Sequence, residues 1–229
     1  MIGTTEISST PAMETQDTIQ RLDRLAAQSG LQLKGELAEK LQAYLRLLAR
    51  WNTSINLTSR VDTDSSLTRL IIEPLIATRV IPDGGLKFLD VGSGGGSPAI
   101  PIKLVRPRLT LTMVESKTRK SAFLREAIRT LDLKDSTVET ARLEDLLLRN
   151  DLLESMAFVS LRAVSVDQTL LDRLQGFLQD GGKLLLFEGG ENSKNLGSLN
   201  PPLVFRETVK LVESLGSRLV VLQKEKGSN

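Results

Sequence analysis

Apolar residues recur every third or fourth position through the N-terminal part of the chain, and every second position or in short runs after that. From Asp17 to Trp51 the spacing is helical, with Leu37, Leu41, Tyr44, Leu45 and Leu48 forming one stripe. Gly30 is expected to separate a first helix from this second one. The segment WNTSINLTSR, Trp51–Arg60, then predicts a polar loop. A third helical stretch spans about Ser65 to Val80 and contains Pro74, which is expected to kink or split it. PDGG, residues 82–85, is a turn signal that closes the helical region.

After Gly85 the rhythm changes. LKFLDV (86–91) is a short apolar run ending in a glycine-rich loop, and a helix is expected from Pro98. LTLTMVE (109–115) alternates like a strand and is followed by a helix over 117–131, whose apolar arc is Phe123, Leu124, Ala127, Ile128 and Leu131. Further strands are expected at 136–141, 156–163, 181–189, 203–211 and 217–224, with helices at 143–149 and 166–178. The alternation predicts an α/β, doubly wound, mostly parallel seven-stranded sheet. The last two strands have no helix between them, which predicts an antiparallel hairpin at one edge. The expected organisation is a flexible tail over 1–17, a helical cap over 18–83 and a nucleotide-type domain over 84–226.

Composition narrows the chemistry. The 229 residues suffice for one sizeable domain plus an extension, and at 40% hydrophobic and only 3% aromatic the core must be aliphatic. No run of about 18 apolar residues predicts a membrane span, and the N-terminus lacks the apolar stretch of a secretory signal, so a cytoplasmic protein with no membrane partner is expected. With no Cys and no His, thiolate nucleophiles, Cys/His zinc sites and Ser-His-Asp triads are excluded. No dense carboxylate spacing suggests a metal. Net charge is +2, but residues 103–129 hold eight bases against two acids. Such an excess attracts nucleic acid or is a solvated face.

The loop FLDVGSGGGSPAIPIKL, Phe88–Leu104, sits between the first strand and a helix, where doubly wound sheets bind nucleotides. Its spacing is G-x-G-x-G, with Ser97 where a dinucleotide fingerprint has its third glycine, and no lysine follows as in a phosphate loop. Asp90, two residues before Gly92, would repel a pyrophosphate and favour a cationic ligand such as the sulfonium of S-adenosylmethionine. Glu115 ends the second strand 23 residues past Gly92, where a ribose-binding acid belongs. Both cofactor classes use such an acid, so a dinucleotide-dependent oxidoreductase or sensor stays open as the alternative.

The stretch DVGSGGGSPAIPIKLVRP resembles the motif of the RsmG (GidB) family of 16S rRNA guanine-N7 methyltransferases. YLRLLARWNTSINLTS (44–59) is similar to that family's helix followed by W-N-x-x-x-N-L-T, and VESKTRKSAFLRE (114–126), TARLEDL (140–146) and VSLRAVS (159–165) resemble further segments in order. The resemblance implies a class I methyltransferase fold with an N-terminal helical cap, S-adenosylmethionine as cofactor, and 16S rRNA or the small ribosomal subunit as partner. Gly92 and Ser97 would line the methionine end, Leu143 and Glu144 match positions on the adenine side, and Arg162 matches the arginine of an S-R-A run at the cofactor site. The expected cofactor set is Asp90, Gly92, Ser93, Gly94, Gly96, Ser97, Glu115, Ser116, Leu143, Glu144 and Arg162. Arg162, a cation ending a buried strand, needs an anion nearby, and an ion pair with Asp90 or Glu115 is the structural alternative. Candidate RNA contacts are Arg69, Arg119, Lys120, Arg125 and Arg129, and the cap around Arg60 and Arg69 is the alternative docking surface. The chain departs from the family at Leu70, at Glu73-Pro74 in place of D-S, at Ala122 and at Glu188. The basic losses among these each remove a possible phosphate contact and keep open a divergent S-adenosylmethionine-binding protein with another substrate.

Overall fold

The computed structural model describes residues 11–58, 63–162, 166–189 and 199–226, with side chains from residue 17 onward. Arg60 and the end of the S-R-A segment, residues 163–165, lie outside the described residues, as do residues 1–10 of the expected tail. Helix α1 spans Pro11–Gln28, so the boundary drawn at residue 17 falls inside a helix. Proline suits a first helical turn, where its missing N–H has no partner to lose. Helix α2 spans Gly35–Asn52 and buries Leu41, Tyr44, Leu45, Leu47 and Leu48. Gly30 lies between them at φ +69°, a conformation that suits glycine.

The third helical stretch is one run with a change of pitch: α3 (Asp64–Leu67), a π-helical segment (Thr68–Ile72), α4 (Glu73–Ala77) and a 3-10 turn (Thr78–Val80). Pro74 does not split it. The backbone widens instead, and the residues from Thr68 to Ala77 are buried apart from Arg69.

The sheet follows with β1 (Lys87–Val91), β2 (Thr110–Val114), β3 (Ser136–Glu139), β4 (Met156–Arg162), β5 (Leu178–Glu188), β6 (Leu203–Val212) and β7 (Ser217–Lys224), interleaved with α5 (Ala99–Val105), α6 (Thr118–Thr130), α7 (Leu143–Leu146) and α8 (Gln168–Gln175). The strand order is β3-β2-β1-β4-β5-β7-β6. The first five strands are parallel, and β7 lies antiparallel between β5 and β6. The expected hairpin therefore forms with its second strand inserted inward, which buries the apolar run of β7 and leaves β6 as the edge.

Because side chains alternate along a strand, each sheet face collects one parity. Phe88, Leu111, Met113, Phe158, Leu185 and Phe187 join the cap helices and α5–α6 in one core, while Leu89, Val91, Val114, Val159, Leu161, Leu184 and Leu186 join α7–α8 in the other. Continuing the first parity to the carboxyl ends of the strands puts Asp90, Glu115, Ser160 and Arg162 on the cap side. Among the described residues no helix is long and apolar enough to cross a membrane, and no group of three or more Asp or Glu side chains is placed to hold a metal.

Candidate active site

β1 and β2 run side by side and end together, which sets the glycine loop beside Glu115. The amides of Gly92 and Ser93 both donate to Val114 O at 2.9 Å, turning the chain sharply back. Gly92, Gly94 and Gly96 have φ of +74°, +49° and +85°, which L side chains adopt only under strain. Their surroundings differ. A Cβ on Gly92 would meet nothing within 4 Å, whereas one on Gly96 would come within 2.4 Å of Ile100 Cδ1. Gly92 therefore borders open space and Gly96 is a packing site between the loop and α5.

Buried Glu115 holds the loop in shape. Its Oε2 accepts from the Gly94 amide at 3.0 Å and its Oε1 from the Lys117 amide at 2.8 Å. Each carboxylate oxygen has two lone pairs, so both can still accept a hydroxyl. Asp90 is 1% exposed, and its Oδ1 accepts from Ser160 Oγ, its register partner on β4. Burial pushes its carboxyl up to about 6, against the stabilising hydrogen bonds of Ser160 and Ser93 and the Arg162 charge. Its Oδ2 is buried with no partner among the described residues.

Arg162 lies at the end of β4, with its guanidinium carbon 4.5 Å from the ring centre of Phe187, its register partner on β5. Its counter-ion is neither Asp90 nor Glu115. Nη1 donates to Glu73 Oε2 at 2.8 Å and to Arg69 O at 2.9 Å, both from the cap. Burial alone pushes the guanidinium pKa down, and the Glu73 carboxylate opposes that. Separation in sequence hid this pairing; only the π segment laid over β4 brings Glu73 within reach.

The cap closes over the loop at further points. Tyr44 Oη donates to Gly95 O at 2.5 Å, and burial pushes its phenol well above the ordinary tyrosine range. A Cβ on Gly95 would lie 3.2 Å from Leu48 and 3.5 Å from Leu57 O. Ser97 Oγ donates to Leu70 O at 2.9 Å, so its hydroxyl faces the cap instead of standing free at the methionine end. Asn52 Oδ1 accepts from the amides of Leu57 and Thr58, shaping the loop after α2, and Trp51 Nε1 donates to Glu126 Oε2 at 2.9 Å, tying α2 to α6. Those contacts account for the W-N positions of the motif.

The remaining candidates are more open. Ser116 is exposed, Leu143 is half-buried against the α7–α8 core, and Glu144 is exposed and paired with Arg173 at 2.6 Å. Arg69 is exposed, its guanidinium beside Gly189 just beyond β5. Arg119 and Arg129 are exposed at the two ends of α6, about 15 Å apart at 1.5 Å per residue, and Lys120 is half-buried. Arg125 is exposed but donates to Val138 O and Thr140 Oγ1 on the β3 edge. The cationic run 103–129 is not one surface. Lys103 is buried and donates to Pro107 O and Leu109 O, Arg106 donates to Ile81 O and Thr78 O, and Arg108 pairs with Asp83. Glu188, a family departure, is paired with Arg218.

The chain thus sets a glycine loop at the carboxyl end of β1 beside an acid ending β2. The profile of the family described as GidB, rRNA small subunit methyltransferase G, matches residues 37–218. The chain belongs to this family. The ribosomal RNA small subunit methyltransferase G of Halorhodospira halophila is 34% identical over 174 residues, covering 76% of this chain and 80% of that relative. Its counterpart in Chromohalobacter salexigens is 32% identical over 200 residues, covering 86% and 89%. Among solved structures, a SAM dependent methyltransferase from Aquifex aeolicus superposes with a TM-score of 0.54 at 14% identity, covering 77% of this chain and 98% of that one. The fold is thus the class I methyltransferase fold, with a cap of helices packed on the carboxyl ends of its strands.

Proposed function

We propose that this chain transfers a methyl group from S-adenosylmethionine to N7 of a guanine in 16S rRNA of the small ribosomal subunit. Membership of the rRNA small subunit methyltransferase G family carries the reading. The crevice fits the cofactor chemically. Gly92 leaves room for close approach, Asp90 offers a buried carboxylate oxygen without a partner to a cationic sulfonium, and Glu115 has lone pairs left for ribose hydroxyls. Leu143, Glu144 and Ser116 would border the adenine side, and Arg162 and the Gly92–Ser97 loop the methionine side.

When bound, S-adenosylmethionine supplies an activated methyl group on a positively charged sulfur. Guanine N7 carries an in-plane lone pair and needs no deprotonation, so the chain has only to position the two reactants in line and exclude water. No general base is assigned, in keeping with a sequence free of His and Cys. Asp90 would lower the cost of holding a cation at the site, the cap ties down the glycine loop through Tyr44 and the Leu70 carbonyl, and Arg69, Arg119, Lys120 and Arg129 would meet phosphates. The protein works in the cytoplasm, where its ribosomal substrate is.

The experiment is methyl transfer from labelled S-adenosylmethionine to purified small subunits, alongside calorimetric titration with S-adenosylmethionine and with NAD(P). Label in the rRNA and binding of S-adenosylmethionine are expected. Tight NAD(P) binding without S-adenosylmethionine binding would overturn the proposal in favour of the dinucleotide alternative.

A further inference from the structure

The helical run over the cofactor loop is interrupted at one place. The Glu73 amide donates to Thr68 O, five residues back, and Pro74 has no amide hydrogen to give. In an α-helix those two amides would have served the carbonyls of Arg69 and Leu70. Both carbonyls find other donors: Arg162 Nη1 reaches Arg69 O and Ser97 Oγ reaches Leu70 O, each at 2.9 Å. The buried Glu73 side chain adds a second acceptor for the same Nη1 at 2.8 Å, the third of the group. Helix geometry that wastes two hydrogen bonds internally thus supplies three acceptors to two side chains at the cofactor crevice. π-helical turns inside α-helices are frequent at functional sites.

We infer that Glu73 and Pro74 are positioning residues for the methyl-transfer site, acting through Arg162 and Ser97. The inference rests on the reading that Arg162 and the glycine loop meet S-adenosylmethionine. Pro74 keeps the Leu70 carbonyl open to Ser97, which pins the loop at its helix end. Glu73 and Arg69 O together fix the rotation of the guanidinium about its stem, with the Phe187 ring beneath it. Nε and Nη2 of Arg162 are buried without partners among the described residues, so the cap clamps one side of the group and leaves its bidentate edge uncommitted. Both residues depart from the D-S that the family commonly carries here. Glu73 keeps an acid at the first of these positions, and Pro74 replaces a serine whose amide and hydroxyl would compete with Ser97 for the Leu70 carbonyl.

The test measures S-adenosylmethionine affinity by calorimetry, kcat and KM for small-subunit methylation, and thermal unfolding. The variants are Pro74→Ala, Glu73→Gln, Glu73→Asp, Ser97→Ala, Arg162→Lys and the doubles Pro74→Ala/Ser97→Ala and Glu73→Gln/Arg162→Lys. Pro74→Ala restores an amide without adding a polar side chain. It is expected to weaken cofactor affinity about 2- to 10-fold, the worth of one neutral hydrogen bond, with KM for the subunit unchanged. In the Ser97→Ala background it should add almost nothing, and Glu73→Gln should likewise add little to Arg162→Lys. Glu73→Asp should recover part of the affinity lost in Glu73→Gln. Effects that multiply in the doubles, or unchanged affinity in a folded Pro74→Ala, would overturn the inference. If Glu73→Gln fails to fold, the Pro74 and Ser97 arm decides alone. Wild-type protein that does not bind S-adenosylmethionine would instead sink the cofactor reading, and this inference with it.

Discussion

Alanine at Gly92 and alanine at Gly96 should fail in different ways. Both glycines have positive φ, +74° and +85°, so each substitution carries about 1–2 kcal/mol of left-handed strain. At Gly92 that is the whole structural cost, because the new methyl meets nothing within 4 Å. At Gly96 the methyl falls 2.4 Å from Ile100 Cδ1, 3.1 Å from Ile100 Cγ1 and 3.4 Å from Leu124 Cδ2, and relieving that adds about 1–3 kcal/mol of overpacking. At about 2–4 °C per kcal/mol for a domain of this size, Gly92→Ala should lower the melting temperature by about 2–8 °C and Gly96→Ala by more. Cofactor affinity should rank the other way. The Gly92 methyl occupies the space the ligand needs and should abolish binding, whereas Gly96→Ala should retain measurable affinity well below its melting point. Circular dichroism melts and calorimetric titrations with S-adenosylmethionine read both quantities on the same samples. A folded Gly92→Ala that binds with wild-type affinity would refute the assignment of the loop as the cradle.

Glu115→Ala should weaken S-adenosylmethionine binding by about 1.5–3 kcal/mol, roughly 10- to 140-fold, with a smaller loss for an analogue lacking the ribose hydroxyls; equal losses for both would mean that Glu115 acts only by holding the Gly94 and Lys117 amides. Asp90 has its folded pKa raised from 3.8 to about 6, so its protonated form stabilises the fold, fully below pH 4 and less as pH climbs through 6; Asp90→Asn should flatten that part of a stability-against-pH curve, and an unchanged slope would contradict the burial argument. The same carboxylate should make affinity for S-adenosylmethionine rise between pH 5 and 7 while affinity for the uncharged-sulfur product changes less, and parallel pH profiles for the two would remove Asp90 from the sulfonium's neighbourhood. Replacing Arg119 and Arg129 with Gln should leave cofactor affinity alone and flatten the salt dependence of rRNA binding by up to about two units; an unchanged slope would make that face a solubility feature.

Local signals carried the sheet well. Period-two alternation, glycine punctuation and the missing last helix led to seven strands in mostly parallel order with an antiparallel edge pair, because each of those features is set within a few neighbouring residues. The glycine loop and Glu115 were legible for the same reason: each lies at a strand end that the alternation marks. What stayed hidden depends on contacts between segments far apart in the chain. Glu73 reaches Arg162 only after the cap docks, and Ser97 turns its hydroxyl to Leu70 instead of the crevice because Pro74 leaves that carbonyl unserved. Charge counting misled for Lys103 and Arg106, since a sequence tally cannot distinguish a cation in solvent from one folded back onto backbone carbonyls. Pro74 was expected to kink or split its helix; the helix is not split, because the flanking apolar residues are buried and the backbone takes up π-helical geometry just before the proline instead.

The central claim is chemical: one guanine of the small-subunit rRNA receives a methyl group at N7 from this protein. Mapping N7-methylguanine along 16S rRNA, in cells lacking the gene and in the same cells complemented with the wild-type chain or with Gly92→Ala, tests it most directly. The account predicts one N7-methylated guanine that disappears in the deletion, returns with the wild-type chain and stays absent with Gly92→Ala. An unchanged methylation map across all strains, or a gained methyl on another atom or another RNA, would contradict it.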